Sequence, residues 1–128
     1  MKISKFLFLF SLLLIFDLIW FKFSYDSIYK KSLHKIRFKK VSFFPFILTY
    51  TIMAVSILWL HSLLIDIMPL QKAFITGQLG FFVYFIFNAT LMSLVSPSKW
   101  FYSTSMIDTI YGTFLYFIGS LLFTTFFS

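Results

Sequence analysis

An all-α integral membrane fold, a bundle of four transmembrane helices, is what this sequence predicts, and three observations predict it. Hydrophobic residues make up 60% of the 128 positions and charged residues only 12%, about half the charged share of a soluble domain. The apolar residues gather into four stretches, each close to the ~20 residues that cross a hydrocarbon core. The positive charge sits in the connections between them. A soluble fold of this length could not hide 21 Phe, because much of its surface stays exposed and large exposed apolar patches drive association. The length allows one domain, residues 1–128.

The first span reads from Phe6 to Phe23, broken only by Ser11, Asp17 and Lys22. Lys2 and Lys5 ahead of it look like the start of a signal peptide. No small-residue cleavage site follows, however, and Asp17, Trp20 and Phe21 stand where one belongs, so this stretch is expected to remain as a span. The second span runs from Phe43 to Ile65. Pro45 lies in its opening turn, where a missing N–H is tolerated, and Pro69 is expected to mark its end. The third runs from Ala73 to Val95 and stops before Ser96-Pro97-Ser98; the fourth runs from Ser103 to Phe127.

The first connection is strongly basic. Lys22, Lys30, Lys31, Lys35, Arg37, Lys39 and Lys40 face only Asp26, so six of the seven net charges lie there. Adding Lys99, eight basic residues fall on one side of the bundle, against Lys2, Lys5 and Lys72 on the other. The positive-inside rule then puts the basic loop in the cytoplasm and both termini on the outer or lumenal side. This confinement points to the membrane surface and away from nucleic acid. Trp20 and Trp100 lie near that cytoplasmic end and fit an interfacial aromatic belt. Within the loop Tyr25, Ile28, Tyr29, Leu33 and Ile36 fall on one helical face, which Lys30, Lys31, His34, Lys35 and Arg37 avoid. A short basic amphipathic helix on the anionic inner leaflet is expected there, with Lys30, Lys31, Lys35, Arg37, Lys39 and Lys40 at the lipid headgroups. Its first role is to anchor topology; specific headgroup recognition is the alternative.

Ionisable residues inside a span are costly, about 2.5–3.5 kcal/mol for Asp at a helix centre, and they need partners. Counted at 1.5 Å per residue, Asp17, Asn88 and Asp108 all lie roughly 7–11 Å inside the cytoplasmic edge of their helices. Tyr50 and Tyr84 lie close enough to join them. Gly77, Gly80, Tyr84 and Asn88 share one face of the third helix; Asp108, Gly112, Leu115 and Gly119 share one face of the fourth. Tyr50, Ala54, Ile57 and His61 do the same in the second. Small residues allow helices to approach and polar ones must turn from lipid, so Gly77, Gly80, Gly112 and Gly119 are expected at helix contacts. The candidate intramembrane cluster is therefore Asp17, Tyr50, Tyr84, Asn88 and Asp108. A network that fixes helix register, a lipid or small-ligand site, and proton or ion handling are its three readings, the first favoured.

Other chemistry is poorly supported. There is no Cys, which removes thiol catalysis and thiolate metal sites. The only His residues, His34 and His61, lack metal-ligand spacing. No phosphate-binding glycine loop or G-x-S-x-G elbow occurs. Asp66 is placed at the interface, and Ser96, Ser98, Ser103, Thr104 and Ser105 read as loop and cap residues. No cofactor, metal or catalytic residue is expected.

These elements resemble those of the uncharacterised membrane proteins grouped as domain-of-unknown-function family 2177. The matching residues are Asp17-Leu18-Ile19-Trp20, Tyr29, Tyr50, Gly77, Gly80, Tyr84 and Asn88, then Trp100, Asp108 and Gly112-Thr113. The resemblance covers nearly the whole chain and implies four transmembrane helices. The family tends to carry an Asp after the tyrosine matching Tyr84, where this chain has Phe85, and a Thr before the Asn, where it has Phe87. The stretch from Asn88 to Trp100 is also longer than the family's.

The function expected is that of a structural or assembly component of a membrane or membrane complex. Its partners are the lipid bilayer, other membrane proteins or a second copy of the chain. The alternative is a small transporter or lipid-binding protein that uses the Asp/Asn/Tyr cluster. An intramembrane enzyme has the least support.

Overall fold

In hydrocarbon every backbone N–H and C=O must be satisfied within its own segment, so each apolar run has to close into a helix. The computed structural model, described for residues 3–30, 43–95 and 102–127, contains four such helices and, among these residues, no strand. Helix α1 covers Ile3–Ser24 and continues through a π-helical turn, Tyr25–Tyr29. Helix α2 covers Phe43–Leu63, α3 Pro69–Val95 and α4 Tyr102–Phe127. All four are long and apolar enough to cross a membrane. The shortest, α2, has 21 residues, or about 31 Å of rise. The protein is an all-α four-helix bundle.

Several boundaries differ from the sequence reading, each for a physical reason. Helix α2 closes at Leu63, two residues before Ile65, where the Leu64 N–H turns back to the His61 carbonyl at 3.1 Å. Pro69 opens α3 instead of only ending α2, and so moves the start of the third span from Ala73 to Pro69. A proline lacks an N–H that a first turn would leave unbonded anyway. Helix α1 does not stop at Phe23. The described part of the expected amphipathic helix, Tyr25–Lys30, is continuous with the first span. Lys31, His34, Lys35, Arg37, Lys39, Lys40, Lys99 and Trp100 lie outside the described residues.

Helix α4 is the hub. Thr104, Ser105, Asp108, Thr109, Gly112, Leu115, Tyr116, Gly119, Ser120 and Phe123 are all buried, a run spaced by threes and fours. It packs closely on α3 on one side and on α1 on another. Toward α3 the approach is backbone to backbone. A Cβ on Gly80 would lie 2.5 Å from the Gly112 carbonyl oxygen, and one on Gly112 would lie 2.1 Å from the Tyr84 ring. Gly77 is less confined, with Thr113 and Phe117 at 3.4 Å. Gly119 turns the other way, toward Leu12 and Leu13 of α1. The four glycines thus serve two interfaces of α4, not one.

Leu9 and Leu13 of α1, Met53, Ala54 and Ile57 of α2, and Leu115, Tyr116 and Phe123 of α4 form the core. Large side chains such as Leu18, Phe82, Phe85, Ile86 and Phe114 point outward. That arrangement suits lipid, in which association rests on packing and hydrogen bonds because the solvent is as apolar as leucine.

Gly80→Ala should therefore destabilise the bundle by about 1–3 kcal/mol through overpacking, outweighing the ~1 kcal/mol that alanine gains as a helix former. Gly119→Ala, whose new Cβ would meet only side-chain atoms at 3.5 Å or more, should leave stability unchanged or raised. Thermal midpoints of the two variants in one detergent check this; equal midpoints would contradict the close α3–α4 approach.

Candidate functional site

The polar residues meet toward the end of the bundle where α1 finishes and α2 begins. Asp17 projects from α1 between α2 and α4. The Tyr50 hydroxyl donates to its Oδ2, and the Tyr111 hydroxyl donates to its Oδ1 at 2.8 Å. Asp108 projects from α4 between α1 and α3. The Tyr29 hydroxyl donates to its Oδ1 at 2.5 Å, and Asn88 Nδ2 donates to its Oδ2 at 2.8 Å. All four carboxylate oxygens accept a hydrogen bond from another helix, and every helix contributes.

Trp20 joins the two centres. Its indole Nε1 donates to the Tyr29 hydroxyl at 2.9 Å. Its ring also stacks on Tyr111, with centroids 4.6 Å apart and planes 7° from parallel. One side chain therefore touches a donor of each carboxylate. Tyr111 lies three residues past Asp108, about 4.5 Å along α4, so the two centres sit within about one turn of each other.

A local irregularity makes this possible. Nine residues on an uninterrupted α-helix are about two and a half turns, which would put Tyr29 opposite Trp20. The Ser24 hydroxyl donates to the Trp20 carbonyl at 2.6 Å and so competes for the acceptor that the helix would use. The wider π turn follows, with the Lys30 N–H bonded to the Tyr25 carbonyl. It absorbs an extra residue and swings Tyr29 back over Asp108. Single π turns of this kind are rare and are frequently found at functional sites.

Of the residues singled out from sequence, the structure brings Asp17 to Tyr50 and Asn88 to Asp108. Tyr84 enters in another way. Its ring fills the space that the missing Cβ of Gly112 leaves and meets Tyr111 and Tyr116 edge-on, at 6.4 and 6.5 Å. Its backbone carbonyl accepts a second hydrogen bond from Asn88, at 2.8 Å. Lys22 is exposed, 6.0 Å over the Phe23 ring. His61 lies near the opposite end, with Nε2 2.6 Å from Ser120 Oγ.

Three members of the network were not among the sequence candidates for it: Trp20, Tyr29 and Tyr111. The sequence alone suggests an interfacial belt for Trp20 and the apolar face of a loop helix for Tyr29. Trp20 follows Asp17 by three, and Tyr111 follows Asp108 by three, so each shares a face with its carboxylate. That spacing was available as a signal. The π turn that delivers Tyr29 was not.

Two carboxylates held by four interhelical donors suit a register lock. Among the described residues no group of three or more His, Asp or Glu could hold a metal ion.

Removing one donor from a buried acceptor costs about 1–3 kcal/mol. Tyr29→Phe and Tyr111→Phe should each lower the thermal midpoint, even though Tyr111→Phe retains the stack on Trp20. Tyr102→Phe, at a position 67% exposed, is the control and should not move it. Matching midpoints for all three would remove the network from the account of stability.

Residues 2–125 match the model of a family described as a predicted membrane protein, DUF2177. Neither the curated proteins nor the solved structures contain a match. The family match spans all four helices and both carboxylates, so this multi-pass integral membrane protein belongs to the DUF2177 family.

Proposed function

We propose that the protein is a non-catalytic structural or assembly component of a membrane or membrane complex. The observation that carries this reading is that both oxygens of Asp17 and of Asp108 already accept hydrogen bonds from the chain's own Tyr50, Tyr111, Tyr29 and Asn88. A cluster engaged in this way holds helices together. What remains for interaction is the lateral surface, where exposed Phe81, Phe82, Phe85 and Ile86 lie along one stretch of α3. The partners are lipid and other membrane chains, or a second copy of this one. The carboxylate cluster gives correspondingly less support to a small transporter built on it, since a substrate would have to break interhelical hydrogen bonds to reach either Asp.

The orientation follows from charge. The eight basic residues on the side of the first loop favour the cytoplasm for that side and the outer or lumenal face for both termini. Anionic lipid at Lys30, Lys31, Lys35, Arg37, Lys39 and Lys40 would hold it there.

Native mass spectrometry of protein extracted from its own membrane in mild detergent tests the assembly reading. Partner chains at fixed stoichiometry are expected, and they should persist in Asp17→Asn and Asp108→Asn, which keep an acceptor oxygen for a donor. A lone chain would contradict the reading. In the same membranes Lys35→Cys should resist an impermeant thiol reagent that labels Asp66→Cys, against a background with no native Cys; the reverse pattern would invert the orientation.

A further inference from the structure

The second polar feature of the bundle lies at its other end, where α1 and α3 begin and α2 and α4 finish. A cavity of about 770 Å³ opens there, lined by Lys5, His61, Lys72 and Thr124 among its polar residues. Its volume falls within the range of small-molecule sites, about 300–1,000 Å³. Leu58, Phe123 and Phe127 supply apolar wall. Among the described residues no carboxylate lines it; Asp66, in the adjoining turn, does not reach it. Lys5 and Lys72 are both half-buried, and the Thr124 hydroxyl is buried with no hydrogen-bond partner among the described residues.

Two half-buried cations with no carboxylate among the described lining residues suit an anion, and the apolar wall beside them suits carbon. One molecule supplies both. We infer that this cavity is a binding site for an anionic phospholipid, with its phosphate at Lys5 and Lys72 and an acyl chain along Leu58, Phe123 and Phe127. The position agrees with the chemistry. Lys5 stands two residues past the start of α1, Lys72 three past the start of α3, and His61 two before the end of α2, all within three residues of a helix end. His61 is braced by Ser120 and by the edge of Phe123, which keeps that wall in place. The phosphate chemistry is shared by free inorganic phosphate, but only a lipid also covers the apolar wall. This site is separate from the carboxylate network and stands or falls independently of the assembly reading.

The test is a titration of the purified full chain in mild detergent with phosphatidylglycerol, phosphatidylcholine and inorganic phosphate, read by native mass spectrometry. A phosphatidylglycerol adduct that depends on Lys5 and Lys72 should form at concentrations at which phosphatidylcholine gives none. Lys5→Gln with Lys72→Gln should weaken it roughly 30-fold, the effect of two lysines near an anionic headgroup. Lys5→Arg with Lys72→Arg keeps the charge and should retain the adduct. Lys31→Gln with Lys35→Gln, which removes two of the seven basic residues of the first connection, should also retain it. Loss in the loop variant with retention in the Lys5/Lys72 glutamine variant would overturn the inference. So would phosphate binding with the same lysine dependence while phosphatidylglycerol gives no adduct.

Discussion

Two carboxylates in a hydrocarbon bundle have to be met by donors, and meeting them determines how these four helices sit. Each Asp costs about 2.5–3.5 kcal/mol to place near a helix centre. A charge-assisted hydrogen bond returns about 1.5–3 kcal/mol, so two donors per carboxylate are enough to offset the penalty and one is marginal. The chain supplies two to each. Because the donors come from different helices, the chemistry that makes the carboxylates tolerable also fixes the register of α1, α2, α3 and α4.

The rest of the architecture serves that arrangement. Asn88 reaches Asp108 because α3 and α4 approach at backbone distance, which Gly80 and Gly112 permit. The gap opened by Gly112 is filled by the Tyr84 ring, and Tyr84 in turn holds Asn88 through its carbonyl. On the other flank the Ser24 hydroxyl and the π turn aim Tyr29, and Trp20 ties that tyrosine to Tyr111. Small residues, aromatic rings and carboxylates are one packing solution in which each part makes room for the next.

Much of this was legible in the sequence. Span number and type follow from hydropathy, because the bilayer allows so few backbone solutions. Depth counting placed Asp17, Asn88 and Asp108 at one level, and helical spacing put Gly112 on the face of Asp108. The misses have physical causes. Pro69 reads as a stop by composition, yet it begins α3, because proline is common both in the first turn of a helix and just beyond the end of one. Tyr29 was assigned to a loop helix because α-helical periodicity cannot register a π turn. Tyr111 is missed because the face drawn through Asp108, Gly112, Leu115 and Gly119 leaves it one residue aside from Gly112, where its hydroxyl meets Asp17 of α1. The cavity at Lys5, His61 and Lys72 joins residues from separate segments, and no local spacing announces it.

The central claim is that Asp17 and Asp108 belong to one coupled network through Trp20. A double-mutant cycle on Tyr29→Phe and Tyr111→Phe, read by reversible unfolding in mixed micelles, tests it most directly, since these two tyrosines serve different carboxylates. The account predicts non-additivity, with a coupling energy of about 0.5 kcal/mol or more, as for residues in one hydrogen-bond network. Strict additivity would mean two independent carboxylate sites, and the claim of a single lock across the bundle would be wrong.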